Sequence, residues 1–225
     1  MVTPSTTSNP PSGPKFTLAA GLAFLLAGAS LSGSDLRGLS ASLLATQTGL
    51  LCLAFAGAKW RGESAAIGLG LTAPERPLSL SAGLVVLGGM ILISFTLNFL
   101  LEYSGIREHS ALDELGQRFA AAQKSDLPYL LLAVALLPAV AEELLFRGLL
   151  LGRIASRFGA TAGLVLSALL FGALHLDVAH GLAAFVLGLY LGGIRLRTGS
   201  VHAPILCHAG NNALAVLAPH FVPFG

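Results

Sequence analysis

Residues 127–151 read LPYLLLAVALLPAVAEELLFRGLLL, and the fold turns on them. The run has the length of a helix that crosses a bilayer, about 20 residues. It nevertheless carries Glu142, Glu143 and Arg147. An ionised side chain at a bilayer centre costs roughly 2.5–3.5 kcal/mol even on the mildest insertion scale. Three of them so close together predict a membrane helix that uses these groups.

The composition points the same way. Of 225 residues, 54% are hydrophobic and only 11% charged, against about 25% charge in a soluble domain. An ordinary soluble domain is excluded, and an all-α, polytopic transmembrane helix bundle is expected. A formal net charge of +2 gives no electrostatic case for nucleic acid as a partner. The two cysteines, Cys52 and Cys207, fall in separate apolar runs. They read as small buried hydrophobes, not as a disulfide framework or a metal cluster.

Residues 1–14 are rich in Ser, Thr, Pro and Gly and are expected to be a disordered tail. Only Lys15 precedes the first apolar run, which does not suit a signal peptide. From residue 15 to 225 the chain reads as a single transmembrane domain. Its apolar runs lie at 16–31, 39–58, 78–101, 127–151, 160–176, 181–194 and 201–217, about seven spans, with six to eight as the limits of the count. Backbone in hydrocarbon must satisfy its own hydrogen bonds, so these runs are helices.

Cations gather in the second, fourth and sixth connections: Lys59, Arg61 and Arg76, then Arg153 and Arg157, then Arg195 and Arg197. By the positive-inside rule these are cytosolic, which puts the N-terminus in the cytosol. The short loops favour a bacterial plasma membrane. In the third connection, Leu112, Leu115 and Phe119 recur at helical spacing among charged residues, predicting a short amphipathic helix at the membrane surface. Trp60 and Tyr129 suit the aromatic belt. His109, His180, His202 and His220 are read as interfacial, and Asn98 as a polar link between helices or part of a cavity lining. Gly148 with Gly152, and Gly188 with Gly192, predict close helix packing.

Polar groups recur at helical spacing in three of the runs. Glu143 and Arg147 are four apart and share a face, while Glu142 is turned from Glu143 by about 100°. Pro138, four residues before Glu142, removes a backbone hydrogen bond and bends the helix, leaving room for water. Phe171 and His175 are four apart in the fifth run, and His208 and Asn212 in the seventh. A carboxylate can serve as general base on a water. A histidine can orient that water, and a second histidine with an amide can stabilise a tetrahedral oxyanion. Each signal alone has a plainer reading: packing histidines, a helix-joining ion pair, or the proton relay of a transporter.

Taken in order, Glu142-Glu143-x-x-x-Arg147, Phe171-x-x-x-His175 and His208-x-x-x-Asn212 resemble the CAAX-processing and bacteriocin-processing (CPBP, or Abi) family, also called type II CAAX prenyl endopeptidases. Arg195, Thr198, Gly199, Ser200, Pro204 and Ile205 resemble the lead-in to its last motif. The resemblance covers about 127–212. It implies an intramembrane endopeptidase of the glutamic type acting on a peptide or membrane-protein substrate within the lipid bilayer. It implies Glu142 as the residue that activates water, His175 assisting, His208 and Asn212 as oxyanion hole, and Glu143 with Arg147 in support, Phe171 sharing the His175 motif. Relatives were long described as metalloproteases, and two histidines with a carboxylate could hold zinc. Asn212 is a poor zinc ligand, so no metal and no cofactor are expected. The competing readings are an inactive immunity or scaffold protein of the same fold and a zinc-dependent version of the protease.

Overall fold

The computed structural model describes residues 21–23, 36–108 and 110–221. The tail expected at 1–14, all but residues 21–23 of the first apolar run, and His109 lie outside them. Every regular element among the described residues is helical. In chain order these are α1 (Leu36–Trp60), α2 (Leu80–Tyr103), α3 (Ala111–Ala121), α4 (Lys124–Phe158), α5 (Ala160–Leu174), α6 (Val178–Thr198) and α7 (His202–Phe221), with a single turn at Ala65–Gly68 after α1. The chain is a helical membrane bundle.

Among the described residues, four helices are long and apolar enough to cross a membrane: Gly38–Trp60 within α1, then α2, α4 and α6. The other two predicted runs in this region are helical but differ for identifiable reasons. α5 has 15 residues, about 22 Å of helix, short of a hydrocarbon core about 30 Å thick. α7 has 20 residues but spends them on His202, His208, Asn211, Asn212 and His220. Helix α4 is the interior element: 61% of its most apolar window is buried, against 11% for α2. α2 instead presents Leu84, Val85, Leu92, Phe95 and Phe99 outward, as a lipid-facing helix would.

α4 is not wound uniformly. Its segments Leu131–Leu136 and Glu143–Leu150 are π-helical. The Leu137 N–H accordingly reaches five residues back to the Leu132 carbonyl, and the Leu151 N–H to the Phe146 carbonyl. Pro138, with no N–H of its own, sits just after the first wide segment. The helix therefore absorbs its proline by widening upstream instead of ending there. Wide turns of this kind are rare and gather at functional sites. α4 also runs seven residues past the predicted limit at Leu151, because the amphipathic stretch to Phe158 continues the helix beyond the apolar run. Gly159, at φ 90°, stops it.

The connections sort into two ends. At one, Arg153 Nη2 donates to the Gly57 carbonyl at 3.1 Å and to Glu63 at 3.2 Å. At the same end the Val201 N–H reaches the Gly70 carbonyl at 3.0 Å. The cation-bearing connections thus share one end, as the charge pattern predicted. At the other end lies α3, N-capped by Ser110. Its apolar face turns inward: Phe119 packs with Leu130 and Val216, and Leu112 against Leu101, Ala179 and Ala183.

Small residues bring α4 and α6 close to their neighbours. A Cβ on Gly148 would stand 2.3 Å from the Leu69 carbonyl oxygen, and one on Gly192 2.5 Å from Leu164 Cδ1. Gly188 lies beneath Arg147, 3.1 Å from its Nη2 by the same measure. Gly152 faces open space and makes no such approach.

Candidate active site

Glu143 and Arg147 lie one turn apart on α4 and are wholly buried. Arg147 Nη1 donates to Glu143 Oε1 at 2.9 Å. Taking two charges out of water is costly, and a close hydrogen-bonded pair offsets that cost. The guanidinium also stacks on Phe171, its central carbon 4.2 Å from the ring centroid, an attraction worth up to about 2 kcal/mol when desolvated.

His208, brought in by α7, faces both carboxylates. Its Nδ1 lies 2.9 Å from Glu143 Oε1. A carboxylate that is paired with Arg147 accepts only, so this nitrogen carries the proton. Nε2 then faces Glu142 Oε2 at 3.8 Å. α7 runs antiparallel to α4. His208 therefore meets the Glu142–Glu143 turn while Asn212, one turn further along α7, reaches back to Val134, whose carbonyl accepts from Asn212 Nδ2 at 3.2 Å.

Phe171 is the junction of these groups. Its ring lies 5.1 Å from Phe146 and 6.1 Å from His208, centroid to centroid, and meets His175 edge-on at 5.1 Å. His175 caps the C-terminus of α5 with Nδ1 3.0 Å from the Phe171 carbonyl. A carbonyl only accepts, so Nδ1 carries the proton and Nε2 is the free acceptor. The His175 contacts are thus Phe171 and, with ring centroids 4.0 Å apart, His180. The structure draws Glu142, Glu143, Arg147, Phe171 and His208 into one cluster. His175 and Asn212 border it, the first beyond the Phe171 ring, the second along α7.

Two residues were not singled out from the sequence. One is His180, which was read as merely interfacial. The other is Gln47 of α1, 4% exposed, whose Nε2 donates to Glu142 Oε1 at 3.0 Å. Its one signal was an amide in an apolar run. The flanking threonines satisfy themselves locally, Thr46 on the Ser42 carbonyl and Thr48 on the Leu44 carbonyl, so Gln47 is the residue of that trio that reaches across. Around it, Gln47 Oε1, Glu143 Oε2 and Arg147 Nε and Nη2 are buried without a hydrogen-bond partner. Each such atom costs about 1–3 kcal/mol unless a polar group meets it. The cleft therefore favours polar company. Glu142, Glu143 and His208 converge, yet no group of three His, Cys, Asp or Glu among the described residues could hold a metal ion.

Residues 124–214 match the family model Rce1-like, type II CAAX prenyl endopeptidase Rce1-like. The matched stretch begins with the first residue of α4 and ends just past Asn212. It contains every residue that carried the resemblance in the sequence. No curated protein and no solved structure matches the chain. Residues 124–214 are thus similar to that family, and α1 supplies Gln47 from outside the matched region.

Proposed function

We propose that the protein is an intramembrane endopeptidase that hydrolyses a peptide bond with a water activated by Glu142. The observation that carries the reading is the division between the two carboxylates. Glu143 is committed to Arg147 and His208 Nδ1. Glu142 accepts from a neutral amide through Oε1, and its Oε2 faces His208 Nε2 at 3.8 Å. In this reading Glu143 and Arg147 support the site and fix the His208 tautomer.

Hydrolysis then runs without a covalent intermediate. Water gives a proton to Glu142 Oε2, and its oxygen attacks the scissile carbonyl carbon. The carbonyl electron pair moves to oxygen. That oxyanion is met by the second N–H of the Asn212 amide, whose first is on Val134, and by His208 Nε2, which donates only while the ring carries a proton on both nitrogens. The tetrahedral centre collapses as Glu142 returns the proton to the departing amine. His175, with Nε2 unprotonated, orients the incoming water or substrate at the edge of Phe171.

The substrate class is a peptide or a membrane protein cut within the bilayer. The proposed setting is a bacterial plasma membrane with the N-terminus in the cytosol. The test is cleavage of a mixed library of prenylated and unprenylated peptides by the purified protein in detergent or liposomes. Glu142→Gln and a chelator arm run beside it. Expected are products that survive chelation and vanish with Glu142→Gln while insertion and fold persist. An active Glu142→Gln protein would sink the glutamic mechanism. Loss to the chelator with recovery on added zinc would favour the metal-dependent version. A wild-type protein that cuts nothing in the library, yet binds a partner regardless of His208, would favour a scaffold.

A further inference from the structure

We infer that Gln47 is a positioning residue for the reaction, holding the Glu142 carboxylate so that only one of its oxygens is free to act. The inference rests on Glu142 as the base. Gln47 lies outside the matched stretch, so the family model carries no information about it.

Four observations support it. Gln47 and Glu142 are both more than nine-tenths buried, and the 3.0 Å bond between them joins α1 to α4 across 95 positions of sequence. The bond goes to Oε1, which leaves Oε2 on the side of His208. The two oxygens are therefore unequal: one is tethered and the other faces the reacting space. The groups set around Glu142 are the Gln47 amide from α1, the His208 ring from α7, the Phe171 ring from α5 nearby, and Glu143 and Arg147 of its own helix. Of the two N–H donors in that set, Arg147 bonds Glu143 through Nη1, and its Nε and Nη2 reach no partner. Gln47 is the donor that bonds Glu142.

The choice of an amide has a chemical reason. A cation at residue 47 would pair with Glu142 as Arg147 pairs with Glu143, and would quench it as a base. An aliphatic side chain would leave Oε1 bare and the carboxyl free to rotate. A neutral donor fixes orientation without cancelling charge. A displacement of about 1 Å in a reacting group can cost about 10²-fold in rate, so losing this tether should be felt in turnover and not in binding.

The experiment is Gln47→Met, of similar length but without the amide. It is read in two ways beside wild type and Glu142→Gln. The first is infrared spectroscopy of the membrane-embedded protein, following the carboxylate stretching bands that disappear in Glu142→Gln. The second is steady-state cleavage. Expected are a shift in those bands and a fall in kcat of about 10²-fold, with KM held. Unmoved bands, or a kcat equal to wild type, would overturn the inference. If Gln47→Met does not fold, Gln47→Asn replaces it. Its amide stops one methylene short of Oε1, and the same two criteria apply. If wild type cuts no peptide, or Glu142→Gln still cuts, the protease reading fails on its own. The bands then decide whether Gln47 holds Glu142.

Discussion

Asn212 on α7 donates its side-chain amide to the Val134 carbonyl of α4 at 3.2 Å, and the residue four places after Val134 is Pro138, which has no N–H to offer. A proline that loosens α4 is thus answered from a neighbouring helix. Asn212→Leu leaves that carbonyl short of a donor, and a loss of about 1–3 kcal/mol is expected. Thermal denaturation in detergent measures it. In a Pro138→Ala background, where the backbone donor returns, the loss should shrink.

The Glu143–Arg147 pair should be fragile to single changes. Arg147→Met leaves a buried carboxylate with no cation and also empties the face of Phe171. A destabilisation of about 3–5 kcal/mol is expected. Adding Glu143→Leu should recover much of it, because a buried pair replaced by apolar groups is often neutral. Melting temperatures of the two singles and the double check the sign of the coupling.

His208→Ala removes the ring that faces both carboxylates. Under the proposed mechanism kcat falls about 10²–10³-fold, the loss typical of a missing oxyanion donor, with KM nearly constant. The Glu143–Arg147 bond survives the change, so the fold should persist. Steady-state cleavage beside a melting curve separates the two effects.

Asp177 ties the far end of the bundle together. It caps α6 by accepting from the His180 N–H at 2.7 Å, and it accepts from Ser110 Oγ at 2.8 Å and the Ala111 N–H at 3.2 Å. Burial pushes its carboxyl up, but these hydrogen bonds outweigh that and hold it below its ordinary value of 3.8. A depressed carboxyl stabilises the fold in its ionised form. Its contribution is therefore complete above that ordinary value and fades as pH falls through the lower folded-state one. Asp177→Ala should cost about 0.5–2 kcal/mol for the lost cap. Hydrogen exchange should rise first across α3 and the first turn of α6.

Gly148→Ala places a methyl group where the Leu69 carbonyl already stands, 2.3 Å away. Backbone meets backbone there, so the turn after α1 must shift, and a loss of about 1–3 kcal/mol is expected. Gly152→Ala, facing open space, should be neutral or slightly stabilising, since alanine is the better helix former. The pair of melting curves is the check.

Much of this was legible in the chain because helices report themselves through period and spacing. Glu143 and Arg147, and Phe171 and His175, meet as their four-residue spacing said they would. The two hydrophobic helices α1 and α2 begin and end within a few residues of their apolar runs. What could not be read was decided between helices. Gln47 looks like any amide in an apolar run, and its partner lies 95 residues away. The spacing of His208 and Asn212 put them on one face but could not say that one meets a carboxylate and the other a carbonyl. The π-wound turns of α4 left no mark in the hydropathy, since winding depends on what neighbouring helices supply to carbonyls that a proline has abandoned.

Phe171 touches two imidazoles of different exposure. His208 is buried with the carboxylates and Arg147, whereas His175, edge-on to the same ring at 5.1 Å, is half-buried. A smaller side chain at this position would leave unfilled the space that now parts the two imidazoles.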